Sequence, residues 1–65
     1  MSVYTVIKEI AGSKRSISSI EKHLNISNGT IGKWDSSMPR ADTLRKVADY
    51  LGTTTAYILD KAKED

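Results

Sequence analysis

The stretch ISSIEKHLNISNGTIGKW, residues 17–34, decides the fold of this chain. It contains no proline, and its apolar residues fall into two groups with helical spacing, i, i+3, i+7 and then i, i+3. The two groups are Ile17, Ile20 and Leu24, and then Ile31 and Trp34. The spacing predicts two short helices, near 17–24 and 28–35, each with one narrow apolar face.

Three residues, Asn25, Ile26 and Ser27, separate the two predicted helices. Asn tolerates a positive φ better than most residues, so Asn25 is suited to close the first helix in the left-handed conformation. Ser27 is a favourable N-cap and is predicted to begin the second helix. A turn this short makes the helices cross steeply and leaves a polar face of the second one exposed. The stretch therefore predicts a helix-turn-helix.

The rest of the sequence predicts three more helices. One runs from about residue 3 to residue 11, and Ser2 is suited to be its N-cap. Another covers about 41–51, where apolar residues recur at i, i+3, i+4 and i+7, and Gly52 is its natural C′ residue. The last helix begins behind a threonine cap that follows Gly52.

Length and composition limit the domain count and the kinds of site. The 65 residues make one all-α domain, a compact bundle of five short helices over residues 1–60, followed by a polar tail at 61–65. With no cysteine and one histidine, we expect neither disulfides nor a metal site, and no cofactor. No apolar run approaches the roughly 20 residues that cross a bilayer, and no signal peptide is evident. We therefore expect a cytoplasmic protein without membrane contacts.

Basic and acidic residues are unevenly distributed along the chain. Residues 1–40 hold six basic and three acidic side chains, a net charge of +3. Residues 41–65 hold four basic and five acidic side chains, a net charge of −1. The positive part contains the predicted helix-turn-helix, so a polyanionic partner such as nucleic acid fits this asymmetry.

Two segments, LNISNGTIGKW (24–34) and ADTLRKVADYLGTTTAYIL (41–59), with Pro39 between them, resemble the Cro/CI-type (Xre-like) repressors of phages and bacteria. The second segment is similar to the family's fourth and fifth helices, which run from Leu-x-x-Ile/Val-Ala through Leu-Gly to a capped Tyr-Leu-Leu. The resemblance covers nearly the whole chain. It implies a lambda-repressor-like fold and a transcription regulator, bacterial or phage-encoded, that binds double-stranded operator DNA.

In this family the third helix enters the major groove with its N-terminus first. The resemblance implies four base-contacting residues: Asn28, Gly29, Thr30 and Lys33. Asn28 is suited to adenine, Lys33 to guanine, and Thr30 to either base or to a thymine methyl group. Gly29 has two open interpretations: it lets the backbone approach the DNA, or it is simply tolerated near a helix start.

Phosphate contacts are expected from groups that flank the third helix and from the start of the second, where the helix dipole favours an anion. The candidates are Lys14, Arg15, Ser16, Ser18, Ser27, Ser36, Ser37 and Arg40. Any one of them is equally well explained as an ordinary solvated side chain. As a group they fit a phosphate clamp better.

One such domain covers only half of an operator, so the resemblance implies a symmetric homodimer, formed in solution or only on DNA. The implied dimer surface precedes and includes the fifth helix: Thr53, Thr54, Thr55, Tyr57 and Ile58. For a domain this small we expect weak self-association without DNA.

Four positions depart from the family pattern. Asn25 stands where the turn usually has a Gly, which is a mild change. Ile17 stands where a DNA-bracing Gln is common, so that hydrogen bond should be missing. Glu21 stands where a small Ala is usual, and we expect either splayed helices or a carboxylate turned to the rim of the domain. Arg40 replaces a common Ser cap, so Asp42 and Thr43 should support the fourth helix instead.

The sequence also bears on two other classes of function. A protein-interaction module, such as an antitoxin or adaptor on the same fold, is the alternative, and a large exposed apolar surface on the fifth helix would favour it. An enzyme is not expected, because the sequence contains no nucleophile–base pair, glycine-rich phosphate loop or metal-ligand cluster.

Overall fold

A computed structural model describes residues 1–13 and 15–63, and within these ranges the chain is helical and has no strand. The elements in chain order are α1 (Val3–Ala11), α2 (Ile17–His23), a 3₁₀ helix (Ile31–Asp35), α3 (Ala41–Tyr50) and α4 (Thr55–Lys63). The predicted all-α fold is confirmed. The prediction of five similar helices is wrong for the third, which is a short 3₁₀ helix that starts three residues later than expected.

Side-chain caps explain where three of the α-helices begin. The hydroxyl oxygens of Ser2, Ser16 and Thr54 each accept a hydrogen bond from the backbone N–H three residues on, at 3.1 Å. Such a cap stabilises a helix by about 1 kcal/mol. α3 lacks a side-chain cap at Arg40. Instead, Oδ1 of Asp42 accepts a hydrogen bond from the Thr43 N–H at 2.9 Å, in line with the expectation that these two residues support the helix in place of a Ser cap.

Two residues in the left-handed conformation end helices where the sequence predicts it. Asn25 has a φ of 58° after α2, and Gly52 has a φ of 75° after α3. Both positions redirect the chain, so that the next element can pack back on the core.

The core is built from one side of every element. α1 packs on the 3₁₀ helix and on α4, α2 packs on the 3₁₀ helix, and α3 packs on α4. Six side chains are fully buried: Ile7, Ile20, Ile31, Ile58, Val6 and Val47. The 3₁₀ helix therefore lies between α1 and α2 and is part of the core structure.

Two predictions about α4 need correction. Ile58 is fully buried, so it belongs to the core and not to the predicted dimer surface. The helix continues through Lys63 and Ala62 packs against the core, so the polar tail does not begin at residue 61. Among the described residues, none of the helices has the length and apolarity that a bilayer crossing requires.

Candidate nucleic-acid interface

The 3₁₀ helix is anchored to the core along one line of side chains. A 3₁₀ helix has three residues per turn, so residues i and i+3 lie directly above one another. Ile31 is fully buried and Trp34 is 5% exposed, and both point into the core. The same periodicity places Thr30 and Lys33 together on a neighbouring line.

The predicted base-contacting residues lie on the outer side of this element. Asn28, Gly29 and Lys33 are exposed, and Thr30 is half-buried. The 3₁₀ geometry changes how they are arranged, because residues 28–30 form a turn before the helix and not its first α-helical turn. Asn28 is therefore presented by the turn, whereas Lys33 is presented by the helix.

Gly29 is required by the backbone. Its φ is 92°, a conformation that L side chains rarely adopt, and a Cβ built there would meet nothing within 4 Å. Gly29 is therefore more than a residue tolerated near a helix start, while its role in letting the backbone approach DNA stays a prediction. The turn needs its positive φ.

The start of the 3₁₀ helix is held by Glu21 of α2, which is only 3% exposed. Its Oε1 accepts a hydrogen bond from the Gly29 N–H at 3.1 Å, and its Oε2 accepts one from the Ile31 N–H at 2.8 Å. The prediction that this carboxylate turns to the rim is therefore wrong. The prediction that Ser27 caps the helix is also wrong, since a buried carboxylate satisfies two of the N–H groups there.

The sequence contains a signal for the burial of Glu21. Glu21 follows Ile17 by four residues, and it therefore occupies the i+4 position of the stripe that Ile17, Ile20 and Leu24 define. That position lies on the inner face of α2. A buried acid next to the start of another helix is a natural acceptor for unpaired backbone N–H groups.

The far end of the 3₁₀ helix is tied to α1. The hydroxyl of Ser2, which also caps α1, donates a hydrogen bond to Oδ1 of Asp35 at 2.8 Å. The element is thus fixed at its start by α2, at its end by α1, and along its length by the two core anchors. So short a helix holds its position through these tertiary contacts.

The residues predicted to contact phosphates lie in separate parts of the surface. Ser18 and Asn28 line one open depression together with Lys22, between α2 and the turn before the 3₁₀ helix. Ser36 and Ser37 line a different depression, beside Met38 and α4. Ser27 and Arg40 are exposed, and Lys14 lies outside the described residues. The structure therefore brings together only part of the predicted clamp.

Arg15 belongs to a cluster that the sequence did not indicate. Its guanidinium carbon lies 5.0 Å from the ring centroid of Tyr50, and the His23 ring lies 4.7 Å from the same ring, centroid to centroid. The cluster joins the two ends of α2 to the end of α3. At this distance the guanidinium group is attracted to the ring by a cation–π interaction, and a guanidinium group carries five N–H donors that are suited to an anion.

On the predicted dimer surface, exposure differs from residue to residue. Tyr57 is 49% exposed and Thr54 is exposed, although the Thr54 hydroxyl is engaged in capping α4. Thr53 and Thr55 are half-buried. Without Ile58, the apolar part of this surface reduces largely to the Tyr57 ring.

Comparison of the chain with protein-family models, with curated proteins and with solved structures finds no match.

Proposed function

We propose that this chain is a sequence-specific regulator of transcription that binds double-stranded DNA. One observation carries the proposal. A short helix is fixed from behind by Ile31 and Trp34, while Lys33 and the preceding Asn28 are exposed on its other side. The major groove, about 12 Å wide, accepts a helix in this way. The net charge of +3 over residues 1–40 is of the sign that DNA requires.

Within this proposal the exposed residues have distinct roles. Asn28 pairs with the N6 and N7 of adenine, and Lys33 with the O6 and N7 of guanine. Thr30, the residue directly before the 3₁₀ helix, packs its methyl group on thymine or donates its hydroxyl. Arg15, Ser16, Ser18 and Arg40 bind phosphates and set the register of the domain on the duplex. Such a Cro/CI-like repressor would act in the bacterial cytoplasm and would be encoded by the bacterium or by a phage.

Selection of bound duplexes from randomised DNA, followed by sequencing, tests the proposal. We expect enrichment of one short motif, and a two-fold repeat of it when two domains bind side by side. A bound pool with the same composition as the starting pool would contradict sequence-specific binding.

Replacing Arg40 with alanine should weaken binding to selected and unrelated DNA to the same extent. Because one phosphate contact is lost, the slope of log K against log salt should flatten by about 0.9. Fluorescence anisotropy titrations at several salt concentrations measure this slope. Arg45→Ala, an equal charge change at an exposed position of α3, is the control. An unchanged slope for Arg40→Ala would remove Arg40 from the clamp.

We expect the free protein to be monomeric at micromolar concentration and to pair on DNA. In the predicted dimer surface Tyr57, 49% exposed, is the one large apolar side chain that is exposed, whereas a standard stable interface buries roughly 800 Å² per partner. Sedimentation equilibrium, with and without a duplex that carries two half-sites, measures both states. Tyr57→Ala should reduce pairing on DNA and leave the fold intact. A tight dimer in the absence of DNA would refute this expectation.

A second candidate function is a protein-interaction module, such as an antitoxin or adaptor. An apolar depression between the N-terminus, the loop after the 3₁₀ helix and α4 favours it, and Met38, 76% exposed, lies at its edge. Single exposed apolar residues are common on soluble domains, so this observation carries less weight than the anchored 3₁₀ helix with its exposed Lys33. A selection that enriches no DNA would make this candidate the better one.

A further inference from the structure

We propose that Glu21 is a positioning residue that sets base selectivity by fixing the turn in front of the 3₁₀ helix. This inference rests on the proposed function and extends it to a residue that does not itself contact DNA. Glu21 lies on α2, is 3% exposed, and bonds to backbone groups on either side of Thr30.

The two hydrogen bonds constrain the turn that presents the base-contacting side chains. Gly29 and Ile31 both donate to the one carboxylate, at 3.1 and 2.8 Å, so the backbone on both sides of Thr30 is held by the same group. The positive φ of Gly29 lies inside this constraint. Asn28 directly precedes Gly29, and Lys33 follows Ile31 by two residues, which is less than one 3₁₀ turn. Their relative placement therefore depends on Glu21.

A hydroxyl cap cannot substitute for this carboxylate. The oxygen of a capping Ser usually accepts from one N–H, whereas an ionised carboxylate has two oxygens and makes stronger, charge-assisted bonds. Burying a carboxylate is costly unless its oxygens are well bonded. Here the bonded carboxylate connects α2 to the turn that carries Thr30 and to the start of the helix that carries Lys33, so it also fixes the distance between α2 and the 3₁₀ helix.

The same carboxylate changes how the domain interacts with phosphates. It occupies the N–H groups of Gly29 and Ile31, which would otherwise be available to an anion at the start of the 3₁₀ helix. Its negative charge also opposes a phosphate nearby. Glu21 therefore favours contact with bases over contact with the DNA backbone at this point.

Glu21→Gln tests the inference, because the amide keeps the shape but places an NH₂ group against one of the two N–H donors. Affinity for the selected duplex should fall by about tenfold, the size expected for a lost charge-assisted hydrogen bond. Affinity for an unrelated duplex should stay the same or rise slightly, since one negative charge is removed. Glu9→Gln, an exposed carboxylate on α1 with the same charge change, is the matched control and should leave the ratio of the two affinities unchanged.

Backbone amide exchange measured by NMR gives a readout that does not depend on DNA. In Glu21→Gln the amides of Gly29 and Ile31 should exchange faster, while core amides such as that of Val47 keep their protection. Gly29→Ala is a second variant, which strains the same turn with Glu21 intact and should lower the affinity ratio in the same direction.

Three results would overturn the inference. One is a parallel loss of both affinities in Glu21→Gln, which would mean that the residue only supports the fold. Another is an affinity ratio that neither variant changes. The third is unchanged exchange at Gly29 and Ile31. If instead the unaltered protein selects no DNA sequence, the proposed function itself fails, and with it the role of Glu21 in selectivity.

Discussion

Replacing Trp34 with alanine should unfold most of the protein at room temperature. The indole is 5% exposed and anchors the 3₁₀ helix to the core, and truncating a buried Trp to Ala costs about 3–5 kcal/mol. The whole core of a domain this small supplies about 3–5 kcal/mol of net stability. The loss is therefore comparable to the total. Urea unfolding followed by far-ultraviolet circular dichroism measures it.

Met38→Ala provides the comparison for this experiment. Met38 is 76% exposed and lies four residues after Trp34, so its truncation should change the free energy of unfolding by less than about 0.5 kcal/mol. Equal unfolding midpoints for the two variants would show that Trp34 does not anchor the helix.

Replacing Lys33 or Asn28 with alanine should leave stability nearly unchanged and reduce specific DNA binding. Both side chains are exposed, so the core is not disturbed. Each loss should cost about 1–3 kcal/mol on the selected duplex and relax the preference at one base position. Titrations against duplexes that carry single base changes measure the affinity and identify the position.

The pattern of affinity losses across these duplexes shows whether each residue contacts a base or a phosphate. A base contact predicts that the variant no longer discriminates at one position and still discriminates at the others. An equal loss of affinity on all duplexes, including unrelated DNA, would assign the residue to the phosphate backbone.

Local sequence rules predicted most of the elements and failed at the third. α1 and α3 have clear apolar stripes, and α1 and α4 begin at local caps, Ser2 and Thr54, so their positions follow from residues near in sequence. The third element was predicted from Ser27 as an N-cap. In the structure Glu21, eight residues before Gly29, takes that role from a neighbouring helix. A tertiary hydrogen bond replaced the local cap, and the positive φ of Gly29 delayed the start of the helix.

The candidate site was predictable in outline and less so in detail. Spacing alone separated the buried Ile31 and Trp34 from the exposed Lys33, because both helix types place residues i and i+3 near each other. Spacing did not identify Ile58 as a core residue, because it lies in a run of three large apolar residues with Tyr57 and Leu59. Only the packing of α4 shows that Ile58 is the fully buried one of the three. The cation–π contact of Arg15 with Tyr50 joins residues far apart in sequence, and no local pattern indicates it.

The central claim is that the exposed side of the 3₁₀ helix enters the major groove. Intermolecular nuclear Overhauser effects between the protein and a selected duplex test it most directly. We expect contacts from Thr30 and Lys33 to major-groove protons, such as thymine methyl groups, while Trp34 contacts only protein. Contacts to DNA confined to α3 or α4, with the 3₁₀ helix unaffected, would contradict the claim.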